Sequence, residues 1–269
     1  MPIKLGVIGG GVMGEALLSR LLVQKIYTPE EVVVGELNPE RRNFLTAQYG
    51  INATADNREA IAADEVVLLA IKPQIFDRVA PELAAMSLPG LPPLLVSILA
   101  GVTLATLESS VPGWPVIRAM PNTPATVGAG MTAIAGGAQT QAEHLEKARL
   151  IFQSVGDVVE IPEHLMDAVT GLSGSGPGYV AILIEALSDG GVAAGLPRAV
   201  ATQLALQTVW GTAQLLHETG LHPAVLKDQV TSPGGTTIAG IAHLEQSGFR
   251  SALIEAVRTA CKRSKELGA

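Results

Sequence analysis

The chain has 269 residues, with 18 Lys or Arg against 25 Asp or Glu, for a formal net charge of −7. Its 48% hydrophobic content excludes a mostly disordered chain. The negative balance and 3% aromatic residues argue against a general nucleic-acid binder, which needs a basic face or stacking rings. One cysteine, Cys261, makes neither an intramolecular disulfide nor a structural zinc site, which fits a reducing cytosol. No targeting segment is visible, and the longest apolar runs are too short or too proline-broken for a membrane span of about 20 residues. A cytoplasmic protein is expected, its apolar residues divided between a large core and a buried subunit interface.

In chain order, the apolar runs Lys4–Ile8, Glu31–Glu36, Glu65–Ile71, Pro93–Ile98, Pro115–Arg118 and Met131–Ala135 are rich in Val, Ile and Leu without strict alternation. That pattern predicts strands buried on both faces. Val12–Gln24, Pro39–Tyr49 and Ile75–Met86 read as helices between them, the second opened by Asn38 as cap and Pro39 at the first position. Strand and helix in alternation predict a doubly wound parallel sheet. From about Pro162 the texture changes. Tyr179–Ala194, Pro197–Thr219, Ala224–Val230, Thr237–Gln246 and Phe249–Leu267 read as alanine-rich helices, punctuated by Gly and Pro. The expected division is a Rossmann domain over 1–161 and an all-α domain over 162–269.

The first strand runs straight into Gly9-Gly10-Gly11-Val12-Met13-Gly14, a GxGxxG in the required strand, turn and helix setting. Gly9 permits the tight turn, Gly11 lets backbone approach a pyrophosphate, and Gly14 allows close helix packing. The following helix start offers free N–H groups and a dipole to the phosphates. Glu36 ends the second strand, where an acid takes the ribose 2′-hydroxyl of NAD; Asn38, Arg41 and Arg42 follow and suit the 2′-phosphate of NADP. Both signals are present, and the arginines read equally well as an exposed helix face. Asn57, in Asp56-Asn57-Arg58-Glu59, opens a helix as its cap.

Further stretches are Ala70-Ile71-Lys72-Pro73-Gln74, Ala100-Gly101-Val102-Thr103, Arg118 through Ala125 (RAMPNTPA), Asp167 with Gly171–Pro177, and Leu226 through Thr237 (LKDQVTSPGGTT). In this order, together with the glycine loop, they resemble pyrroline-5-carboxylate reductase over essentially the whole chain. The resemblance implies reduction of L-1-pyrroline-5-carboxylate to L-proline, the last step of proline synthesis, with NADPH or NADH. It implies a Rossmann domain followed by a helical domain that interlocks with a second subunit, in homo-oligomers built from dimers and commonly decamers. Lys72 lies past the Glu65–Ile71 run, at the carboxyl edge where open α/β sheets bind ligands, and Pro73 shapes its loop. Ala100 and Gly101 are small and leave room for the nicotinamide. The resemblance makes Asn57 an adenosine-side contact. Asn122 either positions a ligand or braces its proline-bracketed loop.

The resemblance makes Ser232, Gly234, Gly235, Thr236 and Thr237 the expected substrate cradle, a turn feeding a helix whose N–H groups suit a carboxylate; taken alone, the stretch reads as an ordinary capped helix start. Thr237 is the expected catalytic residue, its hydroxyl orienting the ring nitrogen. The resemblance adds Glu163 and Gln229 as substrate contacts. Two departures stand out: Val12 occupies a place where the family often has Asn, and Leu99 one where Ala is common. A β-hydroxyacid dehydrogenase is the nearest rival, but Val180 stands where that family needs its lysine. A silent dinucleotide sensor is the alternative outside enzymes. His144, His164, His217, His222 and His243 show no ligand spacing, so no metal is expected.

Overall fold

The computed structural model describes residues 2–86 and 90–268. Eight strands form one sheet: β1 (Leu5–Ile8), β2 (Val32–Gly35), β3 (Asn52–Thr54), β4 (Val66–Leu69), β5 (Leu94–Ser97), β6 (Val116–Met120), β7 (Gly130–Gly136) and β8 (Gly156–Glu160), in the order β3-β2-β1-β4-β5-β6-β7-β8. Every neighbouring pair is parallel except β6 with β7. The stretch between those two is too short for the dozen or more residues that a parallel crossover takes, so the chain turns back. The Rossmann reading therefore holds, with this one reversal near the edge.

Successive strand residues face opposite sides, and the two cores record that alternation. Leu5, Val7, Val34, Leu68 and Val96 lie on one face, with Leu17, Leu18 and Leu21 of α1 (Val12–Val23), Leu45 of α2 (Pro39–Tyr49), and Ile151 and Phe152. Ile8, Val33, Val67, Leu69 and Leu95 lie on the other, with Ile61 of α3 (Asn57–Ile61), Val79 and Leu83 of α4 (Phe76–Ala84), and Leu107 of α5 (Leu104–Ser110). Ile151 and Phe152 come from α6 (Ala142–Gln153). Helices thus cover both faces, which is why the strands read as continuous apolar runs. α2 shows how local sequence sets an element. The Asn38 Oδ1 accepts the Glu40 and Arg41 N–H groups, Pro39 occupies the first turn, and Gly50 closes the helix with φ at 70°.

Strands β3 and β8 and helices α5 and α6 escape the sequence reading. β3 and β8 are the outermost strands of the sheet, and much of their length is exposed. A strand paired on one side and half exposed has no apolar run to announce it. α5 and α6 were likewise not anticipated; Thr103 caps α5 by accepting the Thr106 N–H. Asn57 is not the cap of α3: Asp56 is, accepting the Arg58 N–H at 3.0 Å, and Asn57 is the first helical residue.

After β8 the chain forms α7 (Met166–Val169), a π-helical turn over Thr170–Gly174, then α8 (Gly176–Ala193), α9 (Arg198–Thr219), α10 (Pro223–Gln229), α11 (Thr236–Gln246) and α12 (Phe249–Leu267). By contacts the chain divides into two compact units. One takes the residues up to 174 together with those from 260 on, and the other Ser175–Thr259. The end of α12 thus belongs with the sheet: the Ser264 hydroxyl donates to Asp167 at 2.6 Å. Within the second unit α8 and α9 pack closely, because a Cβ on Gly191 would already stand 3.0 Å from that of Ala201. Among the described residues, no helix is long and apolar enough to cross a membrane.

Candidate active site

In the strand order, β1 lies between β2 and β4, so the chain changes direction across the sheet at β1. Ligands of open α/β sheets bind at that switch point, outside the carboxyl ends of the strands. A cavity of about 240 Å³ lies there, walled by Gly9, Gly11, Glu36, Asn57, Lys72 and Ile75 among others. Gly9 adopts φ of 103°, a left-handed value that an L side chain rarely takes. A Cβ on Gly14 would come within 2.2 Å of the Gly9 carbonyl oxygen, whereas one on Gly11 would meet nothing within 4 Å. Gly14 is therefore small so that α1 can pack, and Gly11 so that the space before it stays open. No side chain caps α1, and its first N–H groups are left for an anion. These features fit a dinucleotide.

The neighbouring polar residues hold the loop. The Glu36 carboxylate accepts the Gly10 N–H at 3.0 Å and the Asn38 N–H at 2.9 Å. Arg41 does not face open space as a phosphate ligand would: its Nε donates to the Gly10 carbonyl at 2.6 Å, it pairs with Glu15, and it lies over the Phe44 ring. Arg42 donates to the Glu36 and Leu37 carbonyls at 2.7 and 2.8 Å. The Asn38 oxygen is spent on capping α2. Capping and ion pairing invisible in the local sequence thus engage the Asn38 oxygen and two of the Arg41 nitrogens, and leave the Asn38 amide N–H groups as its donors. Glu15 also accepts the Tyr49 hydroxyl at 2.6 Å. Burial pushes the Glu15 carboxyl up, but the hydrogen bonds from Tyr49 and Arg41 outweigh it and hold it below the usual carboxylate range. Burial, then Glu15, push Tyr49 up to about 12, so it stays a neutral donor. This Glu15, Arg41 and Tyr49 group was not anticipated; its one sequence signal was an acid in the first turn of α1.

The other expected cofactor residues fall into two sets. Ala70, Ile71 and Lys72 follow β4 and line the cavity, with Pro73 opening a short 3-10 turn. Ala70 sits directly beneath the loop, its Cβ 3.3 Å from where a Gly14 Cβ would be. Val12 is exposed at the start of α1, while Met13 packs on the first core. Asn57 lines the cavity, and its amide donates to Glu82 at 3.0 Å. Ile75 and Val79 add an apolar wall that was not anticipated.

The second set lies elsewhere. Ala100 is half-buried after β5, but Gly101 is buried with φ of 80°. A Cβ on it would stand 3.4 Å from Leu267 and Gly268, so Gly101 accommodates the end of the chain. Asn122 braces: its amide donates to the Ser173 carbonyl at 3.1 Å and its oxygen accepts the Met131 N–H at 2.9 Å. Glu163 also has a structural partner. One of its carboxylate oxygens accepts the Leu104 N–H at 2.6 Å and pairs with the buried Arg118 at 3.0 Å. A buried guanidinium needs that partner, so Glu163 is held in the first unit as a structural acid.

In the second unit, the expected cradle has the shape its residues dictate. Pro233 and Gly234 occupy the middle of a turn in which the Ser232 carbonyl accepts the Gly235 N–H at 3.0 Å, with Gly234 at φ of 68°. Gly235 starts α11 without a side-chain cap, which leaves the N–H groups of Thr236, Thr237 and Ile238 available. A Cβ on Gly235 would lie 2.3 Å from the Ser232 hydroxyl, which would have to rotate away, and 3.2 Å from the Ser232 carbonyl oxygen. Thr236 is exposed, Thr237 half-buried, and Gln229 exposed at the end of α10. Among the described residues no group of His, Cys, Asp and Glu is placed to hold a metal.

Comparison with known proteins agrees with this geometry. Residues 4–101 match the family model described as NADP oxidoreductase coenzyme F420-dependent, and residues 163–267 match pyrroline-5-carboxylate reductase dimerisation. The pyrroline-5-carboxylate reductase of Synechocystis is 60% identical over 100% of this chain and 99% of that one. That of Arabidopsis thaliana is 41% identical over 98% and 95%. Among solved structures, the enzyme of Coxiella burnetii aligns with a TM-score of 0.92 at 32% identity, covering both chains completely. That of Plasmodium falciparum, solved with NADP bound, aligns at 0.88 and 32%, over 99% of this chain and 98% of the other. The chain belongs to the pyrroline-5-carboxylate reductase family.

Proposed function

We propose that this chain reduces the C=N bond of L-1-pyrroline-5-carboxylate to give L-proline, the last step of proline biosynthesis. The observation that carries the reading is the pairing, in one family member, of an open glycine-loop cavity with an uncapped helix start behind the Ser232–Gly235 turn. A bound reduced nicotinamide dinucleotide, NADPH or NADH, would supply the hydride that the imine carbon of the ring receives. Gly9 and Gly11 hold its pyrophosphate against the start of α1, which Gly14 lets pack close, and Ala70, Ile71 and Lys72 border it from β4. The N–H groups at the start of α11 bind the substrate carboxylate, with Ser232, Gly234, Gly235 and Thr236 shaping the turn and Gln229 beside it. The Thr237 hydroxyl orients the ring nitrogen. A protonated imine accepts hydride far better than a neutral one, so the substrate brings its own proton or receives it through Thr237. Most of the rate then comes from holding two partners in register, a contribution of up to about 7–11 kcal/mol.

The same reading divides the chain functionally into a dinucleotide-binding part over 1–161 and a substrate and dimerisation part over 162–269. It places the protein in the cytoplasm as a homo-oligomer built from dimers, decamers included. The match to the dimerisation model and the apolar surfaces of α8 and α9 support the oligomer. Consumption of NAD(P)H with pyrroline-5-carboxylate tests the activity, and nucleotide binding without turnover would favour a sensor. Thr237→Ala should lower kcat/KM by about 10²–10⁴-fold if its hydroxyl takes part in proton transfer. Unchanged steady-state kinetics would remove Thr237 from the mechanism.

A further inference from the structure

We propose that Glu36 makes this chain select the dinucleotide with a free 2′-hydroxyl, NADH, over its 2′-phosphorylated counterpart. The inference rests on the dinucleotide reading of the β1 cavity. Glu36 follows β2 directly and walls that cavity together with Gly9, Gly11 and Asn57. Both its oxygens are fixed in place: Oε2 by the Gly10 N–H at 3.0 Å, Oε1 by the Asn38 N–H at 2.9 Å. A carboxylate accepts at about four lone-pair sites, so roughly two remain for ribose hydroxyls. A 2′-phosphate has no proton to offer them at neutral pH and would bring like charge against a carboxylate that cannot swing aside.

The cations that could offset this repulsion are committed or lie elsewhere. Arg41 is held by the Gly10 carbonyl, Glu15 and the Phe44 ring. Arg42 is held by the carbonyls of Glu36 and Leu37. Arg41 is anchored through Nε and Nη2 and Arg42 through Nη1, so swinging either guanidinium toward a 2′-phosphate would break contacts that shape the glycine loop or the end of β2. Lys72 lines the cavity too, but it follows β4, two strands from β2. At about 4.8 Å per strand it stands roughly 10 Å across the sheet from Glu36, beside the loop that faces the pyrophosphate.

Calorimetric titration of the full chain with NAD⁺, NADP⁺, ADP and 2′,5′-ADP tests the proposal without turnover. NAD⁺ should bind at least about tenfold more tightly than NADP⁺, and ADP more tightly than 2′,5′-ADP. Glu36→Gln, which removes the charge and keeps an acceptor, should shrink the ratio about tenfold, with Glu36→Ser as a second variant and a thermal melt to check folding. Lys72→Ala should weaken all four ligands and leave the ratio unchanged. Equal or tighter binding of NADP⁺ by the unaltered chain overturns the proposal whatever the variants do. So does a loss confined to the 2′-phosphorylated ligands in Lys72→Ala. Failure of all four to bind removes the dinucleotide reading itself, a different result.

Discussion

The sheet unit and the helical unit treat their apolar residues in opposite ways. In the first, nearly every residue of β1, β2, β4 and β5 is buried, and helices close both faces. In the second, Ala201 and Ala205 are the buried hydrophobics among the described residues, while Ile182, Leu206 and Trp210 stand 66%, 55% and 62% exposed. A helix that is apolar on several faces needs cover on more than one side. The sheet unit therefore completes its core from its own elements, and the helical unit leaves apolar faces that a second subunit would cover in the proposed oligomer. The match of 163–267 to a dimerisation model is the counterpart of that exposure in the comparisons.

The contrast breaks most visibly at α9. Leu206→Asp with Trp210→Asp should abolish assembly, read as a drop to the monomer mass by light scattering, while nucleotide binding persists. An unchanged mass would mean that this face is not what the oligomer buries. Next in size, Phe152→Ala in the sheet core should cost about 3–5 kcal/mol in denaturant unfolding, since Phe152 is fully buried. Leu206→Ala in the dissociated chain should cost less than about 0.5 kcal/mol, as surface changes do. Equal costs would erase the distinction between the units.

Within the glycine loop the same logic separates folding from binding. Gly14→Ala should destabilise by about 1–3 kcal/mol, because its Cβ would collide with the Gly9 carbonyl. Gly11→Ala meets open space, so the melting temperature should stay put while nucleotide affinity falls roughly tenfold, about 1.4 kcal/mol. Loss of stability in both would mean that the loop serves packing alone. The smallest effect concerns Glu15. Its carboxyl is held below the usual range, so it contributes stability above the ordinary carboxylate pKa and loses it as pH falls through the lowered value. Glu15→Gln should therefore cost up to about 1 kcal/mol at neutral pH, and the gap to the unaltered chain should close in acid. A gap that widens on acidification would show that the pairing with Arg41 and Tyr49 is not the source.

The legibility of the chain follows the same division. Central strands were legible because burial on both faces makes an apolar run, and β3 and β8 were not because each pairs on one side and is half exposed. The glycine loop and the turn over Ser232–Gly235 were legible because their geometry is written in consecutive residues. The partners of Asn122, Arg41 and Glu163 were not legible, because nothing local shows what a polar side chain will meet.

Length, composition and local pattern alone determined the fold class, the position of the dinucleotide loop and the helical second half, while the family came from the resemblance of whole motifs. Those features depend on residue periodicity and on turns a few residues long. The tertiary structure alone decided where hydrogen-bonding capacity is spent. Glu36 meets Gly10 across 26 residues, Glu163 meets Arg118 across 45 and Leu104 across 59, and Asn122 meets Ser173 across 51. Such partners are brought together by sheet order and packing, so a polar residue's role emerges only once the fold has chosen its neighbours.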